Sequence, residues 1–178
     1  MVAFPAIMLT WFHALLYGFH PALPDELQPL SRWLWDYLLY NPYFDLPNTD
    51  LLTLRERRHM LDVKYALHDI RQTWWFSIGV WLGLLVAQYR PIAQRRLALR
   101  MSLYVGMSII GIAAIMAVID FHASFNLLHH LFFTDHSWVF PAGSLLIQLF
   151  PLHYFQQFFV IWSGLALSTW AGLWWFNR

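Results

Sequence analysis

Cysteine is absent from the 178 residues of the chain, which excludes a disulfide scaffold, a thiol redox site and a cysteine nucleophile. Charged residues are scarce at 12% of the chain, against about 25% in an average soluble domain. The net charge of +1 provides no basic surface for nucleic acid, so no nucleic-acid partner is expected. Hydrophobic residues make up 59% of the chain, and the mean hydropathy of +0.45 excludes intrinsic disorder. The composition therefore predicts a membrane protein whose chemistry depends on its histidines, acids and bases.

Four apolar stretches approach the roughly 20 residues that cross about 30 Å of hydrocarbon as a helix. They cover approximately residues 2–17, 72–89, 101–119 and 154–176. The last three contain no Lys, Arg, Asp or Glu and have aromatic residues near their ends, where amphipathic rings favour the membrane interface. We therefore predict an all-α membrane protein with four transmembrane helices, in which residues 1–178 form a single integral membrane domain.

The loop between the second and third spans predicts the orientation of the chain. Residues 90–100 contain four arginines in a segment too short to fold, and the positive-inside rule places such a loop in the cytoplasm. With four spans, the two longer linkers then emerge together on the extracytoplasmic face. They are an aromatic-rich cap, residues 18–71, and a histidine-rich loop, residues 120–153. The multi-pass chain is thus expected in the cell membrane, with two linkers that can meet outside it.

Local patterns predict helices in both linkers. Thr53 and Glu56 have the spacing of a capping box, so a helix should begin near Leu54. An apolar stripe follows at helical spacing, made of Met60, Val63, Leu67 and Ile70. Residues 142–150 lie between two prolines and are too short to cross the membrane, which indicates a re-entrant or interfacial helix. A GxxxG motif at positions 79–83 predicts close helix packing in the second span.

Two sets of side chains are candidates for acid–base chemistry. His59 and Asp62 lie three residues apart on the predicted helix, where a carboxylate can orient an imidazole and raise its basicity. The alternative is that Asp62 pairs with Arg58 and that His59 is a solvated surface residue. The second set lies in the loop and consists of His129, His130, Asp135 and His136. The alternative interpretation is that these histidines lie at the membrane interface and only cap a turn.

A metal site is a different use of the same loop. Histidine and aspartate are common zinc or iron ligands, which suggests a metal-dependent membrane amidase or esterase. Its ligands would be His122, His129, His136 and Asp135. However, the chain has no compact metal signature such as His-Glu-x-x-His, and no Gly-x-Ser-x-Gly elbow for a serine nucleophile. An accessory membrane protein without enzymatic activity is the third alternative.

Two motifs resemble those of the lipoprotein intramolecular transacylase family. The first runs from Leu52 to Lys64 as LTLRERRHMLDVK and resembles the family signature LT-x-R-E…H-M-x-D-V-K. The second runs from His129 to Trp138 as HHLFFTDHSW and resembles the family stretch H-x-x-F-F…W. Two positions depart from the family pattern: Ser144 stands where an aspartate is expected, and Leu152 stands after Pro151 where an acid is common.

The resemblance implies an acyltransferase that faces the extracytoplasmic side. In this family the sn-2 acyl chain of a diacylglyceryl-modified N-terminal cysteine moves to the amino group of that cysteine, giving a lyso-form lipoprotein. The motifs assign His59 and His129 as the catalytic histidines, with Asp62 and Asp135 as supporting neighbours. General acid–base catalysis by histidine is expected, with no cofactor and no metal. The expected partners are diacylglyceryl-modified lipoproteins and membrane phospholipid.

Overall fold

The computed structural model describes residues 3–40, 51–87, 92–133 and 137–176. Within these ranges the chain consists of seven helices and contains no strand. In chain order the helices are α1 Ala3–Gly18, α2 Gln28–Leu39, α3 Leu54–Ala87, α4 Ile92–Ile119, α5 Phe121–Phe132, α6 Leu145–Leu149 and α7 Leu152–Phe176. The all-α class predicted from the sequence is confirmed.

Two of the described helices are long and apolar enough to cross a membrane. They are α4 from Arg96 onward and α7, whose most apolar windows have mean hydropathies of 2.2 and 1.3. Helix α1 is also apolar but has only 16 residues. Much of the apolar surface faces outward, since Ile109, Val118 and Val160 are 64%, 86% and 69% exposed. An apolar surface of this extent is stable against lipid rather than water, so the chain is a membrane protein.

The capping box forms as predicted at the start of α3. The backbone N–H of Thr53 donates to Glu56 Oε2 at 2.8 Å, and the backbone N–H of Glu56 donates to Thr53 Oγ1 at 3.2 Å. Helix α3 begins at Leu54 and continues for 34 residues. At 1.5 Å per residue it is about 51 Å long, more than the roughly 30 Å of the hydrocarbon core. The boundary predicted at residue 72 between cap and second span therefore falls inside one uninterrupted helix.

The larger core lies where α2 and the first half of α3 meet α6 and the start of α7. Leu34 of α2 and Leu149 of α6 are fully buried there. Met60, from the predicted apolar stripe, is 3% exposed and packs in the same core. Helix α6 covers five residues, which is shorter than the helix predicted between the two prolines. This core joins the two linkers to each other.

A second core lies between α1, α4 and α7, where Phe4, Leu103 and Ala166 are each at most 1% exposed. Gly106 of α4 permits this packing, because a Cβ atom there would overlap the ring of Phe4. By contrast, a Cβ atom on either glycine of the GxxxG motif at 79–83 would meet open space among the described residues. Among the described residues, the close packing predicted for that motif is therefore wrong. Gly106 is instead the glycine at which another helix approaches closely.

Candidate active site

The two linkers meet at His59 and His129, whose ring centroids lie 6.1 Å apart in a stacked arrangement. His59 lies in the second turn of α3 and His129 in the last turn of α5. Only 8% of His59 is exposed, because the rings of Phe133 and Phe140 pack against it at centroid distances of 5.1 and 5.5 Å. The sequence predicts a shared membrane face for these histidines, and the structure places them beside each other.

Aromatic rings also enclose His129. The ring of Phe125, one turn earlier on α5, lies 4.1 Å from it, and the rings of Trp138 and Phe133 lie at 5.0 and 5.5 Å. Phe133 therefore contacts both histidines. We name this arrangement the histidine chamber, defined by His59, Phe125, His129, Phe133, Trp138 and Phe140.

A hydrogen bond determines the tautomer of His129. Its Nδ1 lies 2.8 Å from the carbonyl oxygen of Phe125. Because a carbonyl oxygen only accepts, Nδ1 carries the proton and Nε2 presents its lone pair. Burial lowers the pKa of His129 below the ordinary value of 6.5, the Phe125 carbonyl opposes this, and the charge of His130 lowers the pKa further. At neutral pH, His129 is therefore a neutral imidazole with an acceptor nitrogen.

Glu56 joins the start of α3 to the start of α6. Its side chain is 2% exposed, and Oε2 accepts hydrogen bonds from the backbone N–H and the hydroxyl of Thr53, both at 2.8 Å. Oε1 accepts from the backbone N–H of Leu146 at 3.2 Å. Since Glu56 precedes His59 by three residues, both lie on one face of α3. The carboxylate thus holds the face that carries His59 against the second linker.

The hydrogen bonds to Glu56 also determine its charge. Burial alone would raise the pKa of this carboxyl, but the bonds from Thr53, Leu146 and Leu145 outweigh burial, and the pKa lies below its ordinary value. Glu56 is therefore a buried carboxylate at neutral pH. The capping-box pattern predicts its local partner Thr53, but no sequence pattern indicates a bond to a residue 90 positions away.

Asp62 accepts a hydrogen bond from the hydroxyl of Ser137 at 3.2 Å. Ser137 is 4% exposed and directly precedes the segment that provides two walls of the histidine chamber. Asp62 therefore attaches that segment to α3, a contact that the sequence analysis did not predict. Asp135, the other predicted supporting residue, lies outside the described residues.

The described residues do not support the metal-site alternative. Among them, no group of three or more His, Cys, Asp or Glu side chains could hold an ion. His122 and His129 lie two turns apart on α5, about 10 Å along the helix axis. Nδ1 of His122 instead lies 3.2 Å from the side-chain amide of Asn126. The remaining two suggested ligands, Asp135 and His136, lie outside the described residues.

The two departures from the family pattern have clear structural positions. Ser144 is the N-cap of α6, where its hydroxyl accepts a hydrogen bond from the backbone N–H of Ile147 at 3.3 Å. Serine and aspartate are both good N-cap residues, so the helix cap is retained while the negative charge is lost. Leu152 is the first residue of α7 and begins its apolar sequence.

Comparisons with known proteins identify a similar fold and a family. A solved structure of the membrane integral lipoprotein intramolecular transacylase Lit from Bacillus cereus matches with a TM-score of 0.62 and 22% identity, over 99% of this chain and 90% of that one. This likeness shows a shared fold. No curated protein sequence gave a significant match. Residues 24–155, which include both histidine motifs, match the family model described as lipoprotein intramolecular transacylase Lit. Since this match covers about three quarters of the sequence, the chain belongs to the lipoprotein intramolecular transacylase Lit family.

Proposed function

We propose that this chain moves the sn-2 acyl chain of a diacylglyceryl-modified N-terminal cysteine to the amino group of the same cysteine, by histidine general acid–base catalysis. Membership of the family supports an acyltransferase that acts on lipoproteins. The observation that carries the finer proposal is the pairing of His59 and His129 at 6.1 Å inside aromatic walls. His129 offers Nε2 as a proton acceptor, and His59 lies close enough to contact the same reacting group.

In the proposed reaction the neutral amine attacks the carbonyl carbon of the sn-2 ester, and a C–N bond forms. Nε2 of His129 accepts the proton that the nitrogen loses. His59 donates a hydrogen bond to the oxyanion of the tetrahedral intermediate. As the C–O bond breaks, the proton passes from His129 to the departing glyceryl oxygen. An amide and an alcohol thus replace an amine and an ester, and the mass of the lipoprotein is unchanged.

The histidine chamber suits a reaction between two groups of one molecule. No protein nucleophile is needed, and well-oriented intramolecular reactions reach effective molarities of about 10⁵–10⁸ M. General acid–base catalysis adds a factor of about 10²–10⁴. The rings of Phe125, Phe133, Trp138 and Phe140 exclude water that would otherwise hydrolyse the ester. Positioning and proton transfer together account for the proposed activity.

We further propose that α1, the second half of α3, α4 and α7 cross the membrane, and that the arginine-rich segment 90–100 is cytoplasmic. Residues 92–100 of this segment are the first turns of α4 rather than the loop that the sequence predicts. The chamber then faces the extracytoplasmic side. The absence of native cysteine allows a clean test with single introduced cysteines. An impermeant maleimide applied to spheroplasts should label Leu51→Cys and leave Gln94→Cys unlabelled. Labelling of Gln94→Cys alone would contradict the proposed orientation and indicate the opposite one.

Mass spectrometry of a lipoprotein N-terminal peptide tests the reaction. The host should lack other N-acylating enzymes, and fragmentation should locate each acyl chain. Wild type should convert the free-amine diacylglyceryl form to an N-acyl monoacylglyceryl form of equal mass. We expect His129→Ala to lower the rate by about 10²–10⁴, and His59→Ala to lower it by about 10²–10³.

His122→Ala is the matched control, because His122 is exposed on the same helix as His129 and lies outside the chamber. It should retain the wild-type rate. Full activity in both His59→Ala and His129→Ala, at unchanged protein levels, would contradict the catalytic assignment. Conversion of a free-amine peptide by intermolecular transfer would add acyl mass, and that result would contradict the intramolecular step.

A further inference from the structure

A row of phenylalanine rings leads away from the histidine chamber between α5 and α7. It begins at Phe125, whose ring centroid lies 4.1 Å from that of His129. The ring of Phe155, in the first turn of α7, lies 5.0 Å from Phe125, and the ring of Phe121 lies 6.1 Å from it. The ring of Phe159, one turn further along α7, lies 6.2 Å from Phe121. We name Phe121, Phe125, Phe155 and Phe159 the phenylalanine ladder.

Helical spacing produces the ladder. Phe121 and Phe125 lie four residues apart on α5, and Phe155 and Phe159 lie four residues apart on α7, so each pair occupies one face of its helix. From the level of His129 to that of Phe121, the ladder extends about 12 Å along α5. Only Phe125 also belongs to the histidine chamber. The proposed proton transfers therefore leave the other three rings without a role.

The ladder continues into the lipid-facing surface of the chain. Its four rings are all partly exposed. Val160, directly after Phe159, is 69% exposed, and Leu128, three residues after Phe125, is 51% exposed. Neither α5 nor α7 contains a Lys, Arg, Asp or Glu. In the topology proposed above, the ladder thus connects the chamber with the hydrocarbon of the outer leaflet.

The proposed reaction requires such a connection. The sn-2 carbonyl carbon reacts beside His129, and its acyl chain must extend from there along apolar surface. Methylene groups that lie on aromatic rings gain many small dispersion contacts. A different face of α5 carries His122, Asn126 and His130 at a spacing of four residues, and such polar side chains are poor neighbours for hydrocarbon. The ladder is therefore the face of α5 that suits an acyl chain.

We propose that the phenylalanine ladder binds the migrating sn-2 acyl chain and holds its carbonyl carbon beside His129. This inference rests on the proposed acyl transfer. During transfer the carbonyl carbon exchanges its bond to the glyceryl oxygen for a bond to the amine nitrogen, while the chain stays on the ladder. A chain held in this way keeps the ester in one position as the amine approaches. Phe121, Phe155 and Phe159 are then substrate-binding residues.

Photocrosslinking of the full chain with a diacylglyceryl lipopeptide tests this proposal. The sn-2 palmitoyl chain carries a diazirine either close to the ester or near the middle of the chain, and peptide mapping by mass spectrometry locates the insertion. His129→Ala is used beside wild type, so that binding is measured without turnover. The first probe should label the peptides around Phe125 and Phe155, and the second those around Phe121 and Phe159. Labelling outside α5 and α7 by both probes would overturn the proposal.

Variants of the two distant rings test the contact itself. Phe121→Ala and Phe159→Ala should each lower labelling by the mid-chain probe about fivefold, because a lost ring removes roughly ten atomic contacts with the chain. Phe158→Ala is the matched control, since Phe158 is the neighbouring ring on α7 but contacts Phe12 of α1 at 5.4 Å. It should leave labelling unchanged. Wild-type labelling in Phe121→Ala and Phe159→Ala, or an equal loss in Phe158→Ala, would overturn the proposal.

The position of the probe distinguishes the two acyl chains of the substrate. A diazirine at the middle of the sn-1 chain should not label the peptides around Phe121 and Phe159, and equal labelling by both chains would overturn the assignment to the sn-2 chain.

Acyl transfer on the same lipopeptides separates this inference from the proposed function. Ladder labelling without transfer in wild type would contradict the proposed function and support the binding of the chain. Transfer with labelling elsewhere would overturn the ladder and leave acyl transfer standing.

Discussion

Replacement of Glu56 by glutamine removes a buried charge and keeps the shape of the side chain. The carboxylate accepts two hydrogen bonds from Thr53, each at 2.8 Å, and one from the backbone N–H of Leu146 at 3.2 Å. Glutamine has one acceptor oxygen and one NH₂ group. Its oxygen can therefore accept either from Thr53 or from Leu146, but not from both. Its NH₂ group then faces the remaining N–H or O–H donors.

The structure allows the size of this effect to be worked out. A hydrogen bond to a charged group contributes about 1.5–3 kcal/mol, and a buried donor left without an acceptor costs about 1–3 kcal/mol. Glu56 is 2% exposed, so water does not replace the lost acceptor. We expect Glu56→Gln to lower the free energy of unfolding by about 2–3 kcal/mol. For a chain of this size, that loss lowers Tm by about 4–12 °C.

Thermal unfolding of the purified protein in detergent, followed by tryptophan fluorescence, measures the change. Glu26→Gln is the control, because Glu26 is exposed between α1 and α2, and its Tm should change by no more than about 2 °C. Folding lowers the pKa of Glu56, so its contribution is complete above the ordinary glutamate pKa and disappears as the pH falls through the lower folded value. Identical Tm values for Glu56→Gln and wild type at pH 7 would refute the reasoning.

Three further predictions concern packing, pH and the wall of the chamber. Gly106→Ala places a methyl group against Phe4 and should cost about 1–3 kcal/mol in thermal unfolding. Gly111→Ala meets open space among the described residues and should not destabilise, so equal Tm values for the two variants would argue against the α1–α4 contact. His130→Gln removes a charge that lowers the pKa of His129, so the acid limb of the rate–pH profile should move to higher pH, and an unmoved limb would speak against His129 as the base. Ser137→Ala removes the hydrogen bond to Asp62 and should slow acyl transfer, measured by mass spectrometry, whereas Ser108→Ala on α4 should not; matching rates would show that this bond does not support the chamber.

Several features of the fold follow from local sequence alone. Scarce charge and long apolar stretches predict a membrane protein, because burial of charge in hydrocarbon is costly whatever the tertiary arrangement. The start of α3 at Leu54 follows from Thr53 and Glu56, because a capping box satisfies backbone donors within four residues. Both histidines of the chamber were also predicted by sequence, since each lies in a motif that resembles the family.

Sequence patterns whose meaning depends on the neighbouring helix predicted the packing less well. The GxxxG motif at 79–83 indicates close packing, yet a Cβ atom there meets open space among the described residues, and the close contact occurs at Gly106. Glycine spacing shows which residues are small, but the partner helix decides which of them matter. The boundary predicted at residue 72 lies inside α3, because hydropathy changes there while the backbone hydrogen bonding of the helix continues.

The sequence by itself determined the membrane class, the helix start at Leu54 and the two histidine motifs, because each depends on composition or on neighbours within one or two turns. The tertiary structure alone decided that His59 lies 6.1 Å from His129, seventy positions later, and that Glu56 accepts a hydrogen bond from Leu146, ninety positions later. It also decided the tautomer and lowered pKa of His129, because burial and its neighbours determine them. Such properties arise from contacts between distant segments, and these contacts form only when the two linkers pack together.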